Sequence, residues 1–149
     1  MKKYLHTRNN RVEYNVIHDH LQTGFHDIGG IYTMGLGVGN VINGNLIYHA
    51  PMERSFGMSF DHQSDYLTVT NNIVFDCNTS ASNSDSFSKS TEAHIVYGNE
   101  SNQWKDNLLY GRVFAGTSAS QGEVPPAIVH AAEMMTKVAE ETTGPSWSH

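Results

Sequence analysis

Cysteine is nearly absent: Cys77 is the only one in 149 residues. That excludes an internal disulfide and a cysteine-based zinc site. Charge is sparse too, at 16% Asp, Glu, Lys and Arg, well below the roughly 25% usual in globular domains. Its balance is acidic, with 9 Lys and Arg against 15 Asp and Glu and a formal charge of −6. That argues against a nucleic-acid partner, which needs clustered cations. No apolar run approaches the roughly 18 residues of a membrane span. The basic opening Met1-Lys2-Lys3-Tyr4-Leu5 leads into no apolar stretch and does not read as a secretory signal, so localisation stays open.

Neutral polar residues fill the gap. The chain has 13 Asn, 14 Ser, 11 Thr and 13 Gly, about a third of its length, with 38% apolar residues. Those four types serve turns and strands better than helices, so composition points to a turn-rich β protein. The 9 histidines make the net charge pH-dependent near 6.5.

A phrase recurs: an apolar residue, two others, Asn, then two positions ending in an apolar residue. It reads Val12-Glu13-Tyr14-Asn15-Val16-Ile17, Ile42-Asn43-Gly44-Asn45-Leu46-Ile47, Val69-Thr70-Asn71-Asn72-Ile73-Val74 and, more weakly, Trp104-Lys105-Asp106-Asn107-Leu108-Leu109. The Asn-to-Asn steps are 30, 27 and 35 residues. Fixed-period self-similarity is the mark of a solenoid. Each phrase reads as two short strands meeting at a one-residue bend, with Asn in the left-handed region. Stacked coils would then form an Asn ladder. Val12, Ile42, Val69 and Trp104 would form one inward column, and Ile17, Ile47, Val74 and Leu109 another. His18, Tyr48, Phe75 and Tyr110 would face outward by strand alternation. A second phrase lies between the copies: Gly30-Ile31-Tyr32-Thr33-Met34, Gly57-Met58-Ser59-Phe60-Asp61 and Ala93-His94-Ile95-Val96-Tyr97.

Residues 78–91 are Ser-rich and read as a bulging loop. After Pro125-Pro126 the spacing of Ile128, Val129, Ala132, Met135 and Val138 turns helical, giving a helix over about 127–141 that would cap the last coil. Residues 1–141 form one domain. Ser146-Trp147-Ser148-His149 after Gly144-Pro145 looks like the start of an affinity tag, so residues 142–149 are set aside. The expected fold is an all-β, right-handed parallel β-helix of about three and a half coils with a C-terminal helix. Its first coil is only half present, so self-association as a homo-oligomer, or an N-terminal portion of a longer chain, is expected to cover the open end.

The most specific stretch is His26-Asp27-Ile28-Gly29-Gly30-Ile31-Tyr32-Thr33-Met34-Gly35. With the Val41-to-Ile47 strand pair it resembles the C-terminal part of right-handed parallel β-helix proteins of the carbohydrate-active, glycoside hydrolase-like kind. The resemblance covers roughly residues 9–77. It implies a glycan partner in a groove along the first strand of each coil, lined by His26, Tyr32, Ser59 and Asp65. It also implies carboxylates from adjacent coils, here Asp27 and Asp61. Where the family has Glu, this chain has His62, which would serve as the acid. Two carboxylates at about 5–5.5 Å or 6.5–9.5 Å are what glycosidases use. The alternative is a non-catalytic solenoid, either a carbohydrate-binding or an assembly module, for which a row of Tyr32, Tyr48, Phe75 and Tyr110 would stack on sugar rings. No cofactor is expected. His18-Asp19-His20 could offer two metal ligands on one strand face, but no third is identifiable, so no metal site is assigned.

Overall fold

The computed structural model describes residues 7–20, 28–35, 37–50, 55–60, 64, 66–77, 81–83, 86–91, 95–96, 102–110 and 122–142. Its strands are β1 (Arg11–Glu13), β2 (Val16–His18), β3 (Ile28–Thr33), β4 (Val41–Asn43), β5 (Leu46–Ala50), β6 (Ser55–Phe60), β7 (Thr68–Thr70), β8 (Ile73–Cys77), β9 (Ala81–Asn83), β10 (Ser86–Thr91), β11 (Ile95–Val96), β12 (Gln103–Lys105) and β13 (Leu108–Leu109). One helix, α1 (Pro126–Thr142), follows.

Eleven strands fall into three parallel sheets, visited in rotation. The first is β1-β4-β7-β12, the second β2-β5-β8-β13, the third β3-β6-β11. This is a mainly-β, solenoid-like arrangement. The register is the one the repeated phrase demands. Val12 pairs with Ile42, Ile42 with Val69 and Val69 with Trp104. Ile17 pairs with Ile47, Ile47 with Val74 and Val74 with Leu109. Both columns point into one core, which Ile31, Met58 and Phe60 of the third sheet complete. In that sheet Ile31 pairs with Met58 and Thr33 with Phe60. Ile95 pairs with Met58, one residue later than the phrase at Ala93 implies.

The Asn ladder is continuous. Nδ2 of Asn15 donates to Oδ1 of Asn45, Asn45 to Asn72, and Asn72 to Asn107, each at 2.9 Å. Each backbone N–H donates to the same oxygen, at 3.1, 3.0 and 3.0 Å. The second amide hydrogen reaches a main-chain carbonyl: Asn45 to Val12 O, Asn72 to Ile42 O, Asn107 to Val69 O. Asn45 and Asn72 are thus fully satisfied though buried, which is the condition for burying an amide at all.

The bend differs from expectation in one respect. The left-handed residue is not the ladder Asn but the one before it: Tyr14, Gly44, Asn71 and Asp106 have φ of 57°, 68°, 56° and 57°. The preceding residue makes the turn, which frees Asn to aim its amide inward. Two further columns mark the other corners: Asn9, Gly39 and Tyr66, then Asp19, His49 and Asp76. A second, interrupted amide ladder follows the Asn9 column. Asn10 Nδ2 donates to Asn40 Oδ1 at 2.8 Å, and Leu67 N donates to Asn102 Oδ1 at 2.9 Å. Leu67 breaks it.

Within residues 78–91, expected as a plain loop, β9 and β10 pair antiparallel as a hairpin. The helix does not cap the last coil. It lies on the outer face of the second sheet, where Ile128, Val129 and Ala132 pack with Leu46, Phe75 and Tyr110 as a second apolar cluster. Thr136 Oγ1 bonds the Tyr48 hydroxyl. Met135 and Val138, expected on the buried stripe, are exposed, because the outer face of one sheet reaches only part of a 17-residue helix.

Asn45→Ala should lower unfolding free energy by about 1–3 kcal/mol, because it strips partners from Asn15, Asn72 and Val12 O together. Denaturant melts of Asn45→Ala beside Asn71→Gly, an exposed left-handed position that glycine adopts without strain and whose loss should cost clearly less, check this.

Candidate functional site

The expected groove lies on the third sheet. Tyr32 of β3 and Ser59 of β6 are direct register partners and point away from the core by alternation. Tyr32 is 41% exposed. Ser59, expected to line the groove, is buried at 4% exposure. The backbone packs tightly beside it: a Cβ on Gly29 would come within 2.8 Å of Ser59 N and 3.1 Å of Ser59 Cβ. At the far end of β3, Thr33 Oγ1 donates to Oγ of buried Ser64 at 2.9 Å.

Asp27, Asp61, His62, His26 and Asp65 lie outside the described residues. Of the described residues, Ile28 opens β3 opposite Ser55, and Phe60 closes β6 opposite Thr33.

The aromatic row does not form one exposed platform. His18, Tyr48 and Phe75 do stack outward on successive coils, with ring centroids 5.3 and 5.1 Å apart. However, Phe75 and Tyr110 are buried beneath α1 and Tyr48 is partly covered. Tyr32 belongs to another sheet. The outward apolar column is the dock for the helix, not for sugar.

His18 and His20 do not share a face. Asp19 between them occupies the left-handed region at φ 53°, so the chain turns the corner. His18 stays over the second sheet. His20 swings to the third, where Nε2 lies 3.0 Å from Phe56 O and the ring packs over Gly30. Among the described residues no group of three or more His, Cys, Asp or Glu side chains could hold a metal ion. No described helix is long and apolar enough to cross a membrane. Cys77 is buried and its thiol is pushed up to about 12 by desolvation, which removes it as a nucleophile.

One cluster escaped the sequence reading. At the third corner, His49 Nδ1 donates to Asp76 Oδ2 at 2.8 Å, and His49 Nε2 lies 3.5 Å from Asp19 Oδ1. His18 Nδ1 donates to Asp19 Oδ2 at 2.6 Å. The result is an alternating His–Asp chain across three coils. The hydrogen bond that His49 donates to Asp76 holds its imidazole above its usual range. His20 is held below its own: burial disfavours its charged form, and with Nε2–H donating to Phe56 O its buried Nδ1 has no partner among the described residues.

The chain matches no family model, no curated protein and no solved structure.

The two histidines should oppose each other in pH dependence. A raised folded pKa at His49 stabilises below the unfolded value of about 6.5 and is lost as pH rises through the folded value. A lowered folded pKa at His20 leaves full stability above about 6.5 and loses it as pH falls toward the folded value. His49→Gln should therefore lower Tm in mildly acidic solution and leave the alkaline side unchanged, whereas His20→Gln should flatten the acid-side decline. Thermal melts across about pH 5 to 8 check both signs.

Proposed function

We propose that this chain is a glycan-handling β-helix, wound right-handed as parallel crossovers generally are, with a saccharide lying along β3, β6 and β11. The observation that carries the reading is Tyr32: an exposed aromatic ring on the outward side of β3, in register with Ser59 of β6. Such a ring offers its face to the apolar side of a sugar while its rim is polar. The likeness of the His26-to-Gly35 stretch to carbohydrate-active β-helix proteins supports the same ligand class. Hydrolysis would fall to Asp27 and Asp61 with His62 as acid. A second reading of the same groove is binding without cleavage, for which the exposed Tyr32 ring alone suffices. We also infer self-association through the first coil, because Val12 and Ile17 are only half-buried while their partners Ile42 and Ile47 are fully so.

Titration with neutral and acidic oligosaccharides tests the groove. Tyr32→Ala should weaken binding by about tenfold, near 1.4 kcal/mol, with Tm unchanged. Equal binding by Tyr32→Ala would remove the groove. Loss of aryl-glycoside turnover in Asp27→Asn and Asp61→Asn, with binding kept, would establish catalysis; absence of turnover in the parent chain leaves the binding reading.

Sedimentation velocity tests the association. Particles larger than the 16.5 kDa chain are expected, with Val12→Lys shifting them to monomer. A monomeric parent chain at all concentrations would overturn it.

A further inference from the structure

The corner between the first and second sheets carries an exposed aromatic ring fixed from two sides. Tyr14 is 77% exposed, and its backbone sits at φ 57°, a costly conformation for a bulky residue. Its ring rests on the next coil at Gly44: a Cβ built there would come within 2.7 Å of both Tyr14 Cδ1 and Cε1. Gly44 is itself at φ 68°, so the position suits glycine for the turn and for the ring above it. The Tyr14 hydroxyl accepts from Asn43 Nδ2 at 3.2 Å.

Asn43 is the hub of a polar array on the outer face of the first sheet. Its Nδ2 also donates to Glu13 Oε1 at 3.2 Å. Its Oδ1 accepts from Thr70 Oγ1 and from Asn71 Nδ2, each at 2.9 Å. Arg11 grips the Glu13 carboxylate in a fork of 2.5 and 2.8 Å and holds it below the usual carboxylate range. The array therefore pairs its charges internally and saturates Asn43, which acts as the fixed hub, while the Tyr14 hydroxyl proton, the Asn71 carbonyl and the Glu13 carboxylate face outward on strands about 4.8 Å apart.

We propose that Tyr14, with Glu13, Asn43 and Asn71 beside it, forms a second saccharide-stacking site, specific for neutral glycans. An exposed ring held flat and immobile gives area at little entropic cost. Planar polar groups at its edge suit hydroxyls. Arg11 is committed to Glu13 and the chain is net acidic, which disfavours uronates and sulfated chains. The ligand class rests on the glycan reading above; the location does not, because Tyr14 lies at a corner outside the third sheet.

The test uses saturation-transfer and ring-proton NMR on the whole chain, with neutral glucose, mannose and xylose oligosaccharides as probes and an oligogalacturonate as the charged control. At least one neutral probe should shift the Tyr14 ring resonances, and the uronate should not. Tyr14→Gly removes the ring and relieves the positive φ, so the fold and Tm should hold or improve while affinity at this site falls by about tenfold or more. Tyr14→Phe should keep binding within about threefold, a change of less than 1 kcal/mol. No ring shift with any neutral probe, or full binding by Tyr14→Gly, would overturn the site. Binding lost on Tyr32→Ala but kept on Tyr14→Gly would leave the groove standing and remove this second site. The opposite pattern would do the reverse.

Discussion

The amide-to-amide hydrogen bond between successive ladder asparagines is the constraint on which the coil depends. A parallel sheet of three-residue strands has little to set its register: a slip by one residue would turn the core column outward. The ladder removes that freedom. The Oδ1 of Asn45, Asn72 and Asn107 each accepts two N–H groups from the coil before it, and those Asn each return a hydrogen to a backbone carbonyl of that coil. A slipped coil would leave buried amides unpaired, at a cost of about 1–3 kcal/mol for each. Apolar columns supply the gross burial, but the amides decide which residues meet. The register of Ile42 on Val69 and Ile47 on Val74 follows from it.

The corners explain where chemistry can be carried. A sharp turn between short strands needs one left-handed residue, and the structure places it just before the ladder position at two corners; at the third it is Asp19 just after β2 and His49 and Asp76 one residue before the ends of β5 and β8. The side chain of such a residue has no strand neighbour to pack against and stands away from the core. At one corner this produces the His49 bridge between Asp19 and Asp76. At another it presents the Tyr14 ring. The His–Asp chain and the Tyr14 ring are thus by-products of the same backbone rule that closes the coil, whereas Tyr32 stands on a strand.

Much of this was readable from residues 12–17, 42–47, 69–74 and 104–109, because both inward columns and the ladder repeat one residue type at common steps. What escaped has definite causes. The left-handed positions hold Tyr14, Gly44, Asn71 and Asp106, with no shared side chain, since the turn is imposed by the coil rather than by local preference. The second amide ladder is hidden by Leu67. The His–Asp chain joins residues 27 and 30 positions apart, a proximity visible only once the coil lengths are known. The helix was legible, but not its seat: an outward column of Tyr48, Phe75 and Tyr110 could serve a sugar or a helix equally well. The expected catalytic residues Asp27, Asp61 and His62 lie outside the described residues.

The seat of the helix then decides which faces remain for a ligand. Of the outward faces, the second sheet presents the most apolar surface: Val16, Leu46, Ile73, Tyr48 and Phe75 all belong to it. Left bare, it would be a patch prone to association. Covering it with α1 converts it into core and removes it as a binding platform. The first sheet outside is a polar lattice of Glu13, Asn43 and Thr70 with the exposed Tyr14 at its corner, and the third presents the exposed Tyr32. With its apolar outer face hidden beneath α1, the solenoid keeps Tyr14 and Tyr32 exposed on its other faces, and the glycan proposal rests on those two rings.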